Sequence, residues 1–236
     1  MKKEIAVLVF DVFGTVVDWR SSILVQLENL GRLKGVDGNW EQFLDEWKSS
    51  YRPGMDEVNA GKREWTNVDV IYRERLDQLL PMYGLGGLTE DERWKLNRAW
   101  CRPNAWPDSV NGLNRLKAKY KLSTLSNGNF EWLLSIAKHC GLAFDCILTA
   151  ENAKAYKPAP KVYRTAVDLM GVEPEHILMV ACHNYDLKAA SDEGLRTAFV
   201  KNRKEYGPGQ IKDQSPEKDW DFVVDDLRDL ATQLGC

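Results

Sequence analysis

Residues 5–10, Ile-Ala-Val-Leu-Val-Phe, run apolar without alternation and stop at Asp11. A short run of this kind offers apolar side chains to both faces of a sheet. It therefore suits a strand buried between two layers of helices. Three later segments repeat the pattern. Residues 121–125 end at Ser126-Asn127-Gly128, residues 144–149 at Ala150-Glu151-Asn152, and residues 176–181 at Cys182-His183-Asn184. A further apolar piece, 197–200, follows Gly194-Leu195-Arg196. Segments 106–118, 131–140 and 161–170 carry apolar residues at three- and four-residue spacing, which predicts helices between the strands. The last of them follows a helix-start signal, Lys157-Pro158-Ala159-Pro160. Short helices are also predicted over 186–193, stopped by Gly194, and over 225–234. Strand and helix alternate, as in an α/β fold with a doubly wound parallel sheet, a Rossmann-like core.

Residues 16–100 break that rhythm. They show helical periodicity, no strand run, and far more length than a strand-to-helix loop needs. They also hold six of the nine tryptophans: Trp19, Trp40, Trp47, Trp65, Trp94 and Trp100. The segment reads as a helical cap inserted at 16–100, splitting the core into 1–15 and 101–236. Clustered tryptophans suit a homodimer interface, and the core of a helix bundle accounts for them equally well. Residues 201–219, rich in Lys, Glu, Gly, Gln and Asp, read as a mobile surface loop.

Charge and cysteine usage narrow the function. Lys plus Arg is 32 and Asp plus Glu is 35, giving a net charge of −3. No global field draws this chain to nucleic acid or an anionic membrane, so any anion must be held by a local site. No apolar run is long enough to span a bilayer. Met1 to Glu4 is charged and the run after it is too short for a signal peptide. Cys101, Cys140, Cys146, Cys182 and Cys236 are odd in number and lack CxxC spacing. They read as reduced thiols, which points to the cytoplasm.

In an open parallel sheet, ligands bind beyond the carboxyl ends of the strands. The polar residues that end the apolar runs should therefore converge: Asp11, Ser126 with Asn127, Lys157, and His183 with Asp186. Asp11 opens the stretch Asp11-Val12-Phe13-Gly14-Thr15. A carboxylate beside turn amides stays ionised and can attack carbon or phosphorus. A helix cap is the other reading of the same residue.

Asp-x-x-Gly-Thr after an apolar strand, then Leu125-Ser126-Asn127-Gly128, then Lys157-Pro158, then a motif ending at Asp186, resembles the haloacid dehalogenase superfamily. The four motifs occur in order and cover the whole chain, and the insertion resembles that superfamily's helical cap. Its phosphatases carry a second Asp two residues after the nucleophile; here that position is Phe13. Their last motif supplies two carboxylates for Mg²⁺; here Ala181-Cys182-His183-Asn184-Tyr185-Asp186 offers one, a poor site for a hard cation. The chain is thus most similar to the type II, L-2-haloacid dehalogenase branch.

That resemblance implies a hydrolysis without metal or cofactor. Asp11 would displace halide from C2 of a short anionic 2-haloacid, and water would cleave the aspartyl ester to a 2-hydroxy acid. Lys157 would orient Asp11, and Asp186 would anchor Lys157. Thr15, Ser126, Asn127 and Asn184 are assigned to substrate binding. His183, where the family carries Asn, would activate water as a neutral imidazole. Arg52 is the cap residue assigned to the substrate and halide, with Lys48 and Arg20 as alternatives. Trp19, Tyr51, Trp65 and Trp106 are candidates to line the pocket. A phosphatase, another carbon-centre hydrolase such as a strained-ring opener, and a non-catalytic binding homologue stay open.

Overall fold

The structure is a computed structural model and describes residues 4–236; the expectation for the charged terminus lies largely outside them. In chain order the elements are β1 (Val7–Phe10), β2 (Val17–Asp18), α1 (Trp19–Lys34), α2 (Trp40–Lys48), α3 (Tyr51–Asn59), α4 (Val68–Met82) and α5 (Glu90–Asn97). After a 3-10 turn at Arg98–Cys101 come β3 (Asn104–Ala105), α6 (Ser109–Lys117), β4 (Lys121–Ser126), α7 (Phe130–Cys140), β5 (Cys146–Thr149), α8 (Ala150–Ala153) and α9 (Pro160–Met170). The chain ends with β6 (Ile177–Ala181), α10 (Asn184–Asp192), β7 (Arg196–Val200), β8 (Phe222–Val224) and α11 (Leu227–Gln233).

Six strands form one parallel sheet in the order β5-β4-β1-β6-β7-β8. The chain winds outward from β1 through β4 to β5, then returns to β6 on the other side of β1. The order reverses beside β1, and that is where an open α/β sheet forms its binding crevice. Phe10 is level with both Thr124 and Val180, so Asp11, Ser126 and Cys182 leave the sheet along one edge. The unbroken apolar run of β1 has a direct cause. Leu8 and Phe10 pack with Leu113, Ile136 and Leu230 on one face, and Val7 and Val9 pack with Val162, Tyr163 and Leu187 on the other. Each such side chain taken from water contributes roughly 1.5–3 kcal/mol.

The cap, α1 to α5, leaves and rejoins the core side by side. β2 and β3 pair antiparallel, Val17 opposite Ala105 and Asp18 opposite Asn104. The hinge strands therefore lie just after the boundary read at 16 and a few residues beyond the one read at 100. Val16 and Val17 pack with the core, whereas Trp100 and Cys101 pack with the cap. Asp18 starts α1 by accepting from Ser21 N at 3.1 Å, and Thr89 with Glu92 closes a capping box on α5. Trp19, Trp47 and Trp100 are buried in the bundle. A core role accounts for them, so they carry no argument for a dimer. Segment 201–219 departs from the expected exposed loop: Asn202, Glu205 and Asp213 are buried in it, and β8 follows. β8 is three residues long and half-exposed, too short to show a period.

Candidate active site

Asp11 follows the last residue of β1 and is buried. Its N–H still donates to Val180 O at 3.0 Å, so the sheet fixes its backbone. Gly14 then turns the chain at φ +85°. A Cβ there would lie 2.1 Å from a carboxylate oxygen of Glu205, so only glycine fits both the turn and that approach.

Both oxygens of Asp11 are held. Oδ1 accepts from Lys157 Nζ at 3.0 Å, and Oδ2 accepts from Thr15 Oγ1 at 2.8 Å. Lys157 Nζ also donates to Asp186, whose other oxygen accepts from Tyr163 OH at 2.6 Å. Lys157, Asp186 and Tyr163 are buried too. Burial alone would raise the Asp11 pKa, but the charges of Lys157 and His183 outweigh it and hold the carboxyl well below its ordinary value. Burial likewise opposes charge on Lys157, and Asp11 and Asp186 overcome it, so the ammonium persists above its usual range. The result is an ionised nucleophile locked between fixed partners.

His183 begins the turn into α10. Its Nε2 meets Glu205 Oε1, and its Nδ1 lies 3.2 Å from Asp11 Oδ2. That second contact lacks hydrogen-bond alignment: Nδ1 is buried without a hydrogen-bond partner, and we read it as a charge contact. Burial disfavours a charged imidazole, yet its pKa lies well above the ordinary value. Burial also pushes the Cys182 thiol up to about 11, so it is neutral at pH 7. The carboxylates of Glu205 and Asp11 are then what hold the proton on His183. The expected neutral base is an imidazolium in this state.

Glu205 was not visible in the sequence. It is buried, accepts from Trp19 Nε1 at 2.6 Å, and so touches the cap as well as His183. Its segment has no apolar pattern, and no local signal marks the residue.

Several other expectations change. The Thr15 hydroxyl donates to Asp11 and accepts from Cys182 N at 3.0 Å, so it orients the nucleophile instead of the substrate. Asn184 donates to Asp213 Oδ1 and Ser215 O and accepts from Glu217 N and Trp220 Nε1. All four hydrogen-bonding positions are filled; its amide fastens the loop before β8 and has none left for substrate. Asn127 clamps the Lys157 peptide, accepting from its N at 2.7 Å and donating to its O at 3.3 Å. Its side chain also hydrogen-bonds to Tyr51 of the cap. Ser126 Oγ accepts from Gly128 N at 3.2 Å, which leaves its hydroxyl hydrogen for a ligand. Arg20 pairs with Asp45 inside the cap. Trp106 Nε1 donates to Gly14 O, and Trp65 stacks on Tyr156. Both tryptophans brace the walls.

The cap closes the site with rings. Phe13, Lys48, Tyr51, Tyr72, Trp100 and Trp132 are among the residues around a tight cavity of about 10 Å³. Lys48 Nζ lies 3.7 Å from the Tyr51 ring centroid, with Trp19, Trp100 and Tyr72 between 5.1 and 5.8 Å. Removal from water pulls its pKa down to about 8, against the pull of Glu205 and Asp11. Arg52 donates to Lys157 O at 3.3 Å, and its guanidinium stacks 4.8 Å over Tyr185.

Asp11, Cys182 and His183 place one donor atom each within 4.8 Å of one another. The set does not fit Mg²⁺, which takes oxygen donors. The thiol and the imidazolium would each have to lose a proton before binding any metal.

A buried aspartate at the head of a Rossmann-like sheet, met by a lysine and an aspartate from later segments and roofed by an inserted helical cap, defines a covalent-aspartate hydrolase site. A family model described as haloacid dehalogenase-like hydrolase matches residues 5–192. The solved L-2-haloacid dehalogenase PA0810 is 43% identical, with 98% of this chain and 99% of that chain covered and a TM-score of 0.94. The defluorinating L-2-haloacid dehalogenase Rha0230 is 38% identical, with 98% and 96% covered and a TM-score of 0.95. A curated relative, (S)-2-haloacid dehalogenase 4A of Burkholderia cepacia, is 28% identical over 221 residues, 91% of this chain and 92% of its own. The chain belongs to the haloacid dehalogenase-like hydrolases and, within them, to the L-2-haloacid dehalogenase branch.

Proposed function

We propose that the protein hydrolyses short 2-haloalkanoic acids to 2-hydroxy acids through an ester on Asp11, without a metal or cofactor. One observation carries the reading: an ionised Asp11 held by Lys157 and Thr15, with Phe13 where a proton donor for an alkoxide would stand. A halide leaves without a proton, so the missing acid costs this reaction nothing.

Asp11 attacks C2 in line, the carbon–halide bond breaks, and halide departs towards the cap cations. Lys48 and Arg52 are the candidates to receive it. The Ser126 hydroxyl is placed to bind the substrate carboxylate, with the Asn127 amide beside it able to exchange its Tyr51 contact for the ligand. Ester formation removes the negative charge of Asp11, and with it one of the two charges that hold the His183 proton. The imidazolium then releases its Nδ1 proton to water, Nε2 keeps its proton towards Glu205, and Nδ1 becomes a base facing the ester. Water adds to the ester carbonyl, giving its proton to Nδ1. The tetrahedral intermediate collapses; the alkoxide leaves with the Nδ1 proton as the 2-hydroxy acid, and the carboxyl proton of Asp11 passes to Nδ1, restoring the carboxylate and the imidazolium.

The charged, ring-walled chamber suits a small anion. Among the described residues no helix is long and apolar enough to cross a membrane. The five cysteines are free, which supports the cytoplasmic reading. The test is halide release from L-2-chloropropionate, chloroacetate and fluoroacetate with EDTA present, beside p-nitrophenyl phosphate with Mg²⁺. Halide release in EDTA is expected. Phosphate-ester turnover alone would replace this reading with a phosphatase.

A further inference from the structure

Lys157 is held from two sides. The core holds it through Asn127, which brackets its peptide. The cap holds the residue before it. Asn59, the last residue of α3, accepts from Tyr156 N at 2.8 Å and donates to Tyr156 O at 2.9 Å. One side-chain amide thus satisfies both polar groups of one residue, as a neighbouring strand would. Around it, Tyr156 OH donates to Thr66 O, Trp65 stacks on the Tyr156 ring at 4.8 Å, and Arg52 donates to Lys157 O. The cap groups of this seam come from residues 52–66, and their hydrogen bonds go to the backbone and hydroxyl of Tyr156 and the carbonyl of Lys157.

Asn59 is exposed, so its two hydrogen bonds contribute little net stability. Their value is directional. A doubly bonded amide fixes both the position and the tilt of the Tyr156 peptide, and the next residue carries the ammonium on Asp11. Opening the cap removes Asn59, Arg52 and Trp65 together, leaving the segment's backbone on Asn127 and Ala159 N while the ammonium keeps only its carboxylate partners.

We propose that Asn59 is a positioning residue that couples cap closure to Lys157, so that the ammonium is registered against Asp11 only when the cap is closed. This rests on the reading of Lys157 as the residue that orients the nucleophile.

The test uses the full chain with Asn59→Ala and the near-isosteric Asn59→Asp, which keeps the acceptor for Tyr156 N, removes the donor and adds a negative charge. The first measurement is the single-turnover rate constant of halide release from L-2-chloropropionate with enzyme in excess, which a smaller folded fraction does not change. The second is hydrogen exchange at the Lys157 amide, whose own partner, Asn127, is untouched. Both variants should lose roughly tenfold or more in the rate constant, and the Lys157 amide should exchange faster. Either quantity at its wild-type value in both variants overturns the proposal. If the wild type itself releases no halide, the functional reading fails, and the exchange measurement still decides the coupling.

Discussion

The core and the cap meet the same small space with opposite chemistry. On the core side, Asp11, Lys157, Asp186, His183 and Glu205 are buried charges, each within reach of another of opposite sign. On the cap side stand the rings of Tyr51, Tyr72 and Trp100 with one ammonium, Lys48, among them. Fixed charges keep the nucleophile ionised and aimed. The apolar roof excludes water, which makes those charges act more strongly on a bound anion. Neither half suffices: a paired charge network open to water is screened, and a dry chamber without a nucleophile only binds.

Substitutions on each side should therefore fail differently. Asp11→Asn is expected to have the largest effect, a fall in kcat of about 10⁴-fold or more with the fold retained. Halide release and circular dichroism check it, and substantial residual turnover would remove Asp11 as nucleophile. Lys157→Met leaves Asp11 and Asp186 buried without their shared cation, at an expected cost of about 3–5 kcal/mol in denaturant unfolding. The sign with pH follows. Lys157 has a raised folded pKa, so its stabilisation is complete below about 10.5 and is lost as pH rises through the folded value. The variant should lack that alkaline loss.

Trp100→Ala should cost about 3 kcal/mol by opening a cavity in the cap and, by letting water reach Lys48, should move the alkaline limb of kcat/KM to higher pH. An unchanged profile would mean that Lys48 does not set that limb. Lys48→Arg should have the smallest effect. Lys48 is charged below about 8, so wild-type kcat/KM is expected to fall as pH rises through that value. The arginine variant should extend the plateau upward. Because the folded pKa is below the unfolded one, the unfolded chain binds more protons between them. Lys48 therefore adds stability as pH rises through that window.

Much of the charged half was legible before any coordinates. Asp11, Ser126 and His183 sit where apolar runs end, and strand ends in a parallel sheet share one edge by geometry. Lys157 and Asp186 came from motif order. The roles of Thr15 and Asn184 were misread because a hydroxyl or amide near a site can face the ligand or the scaffold, and sequence does not say which. The cap was legible as a unit through its length and tryptophans. The boundaries moved because Val16 and Cys101 are both apolar, and only packing assigns Val16 to the sheet's core and Cys101 to the cap's.

The sequence by itself determined the sheet, the inserted helices and the place of Asp11 at the head of β1, since each follows from patterns within a few residues. Only the tertiary structure decided how the nucleophile is controlled. Glu205 reaches His183 across 22 positions and Trp19 across 186, and Asn59 grips Tyr156 across 97. Contacts at such separations leave no local period, because a polar side chain has the same character whether it ends in water or against a buried partner. Burial chooses between those fates, and with it the charge on His183.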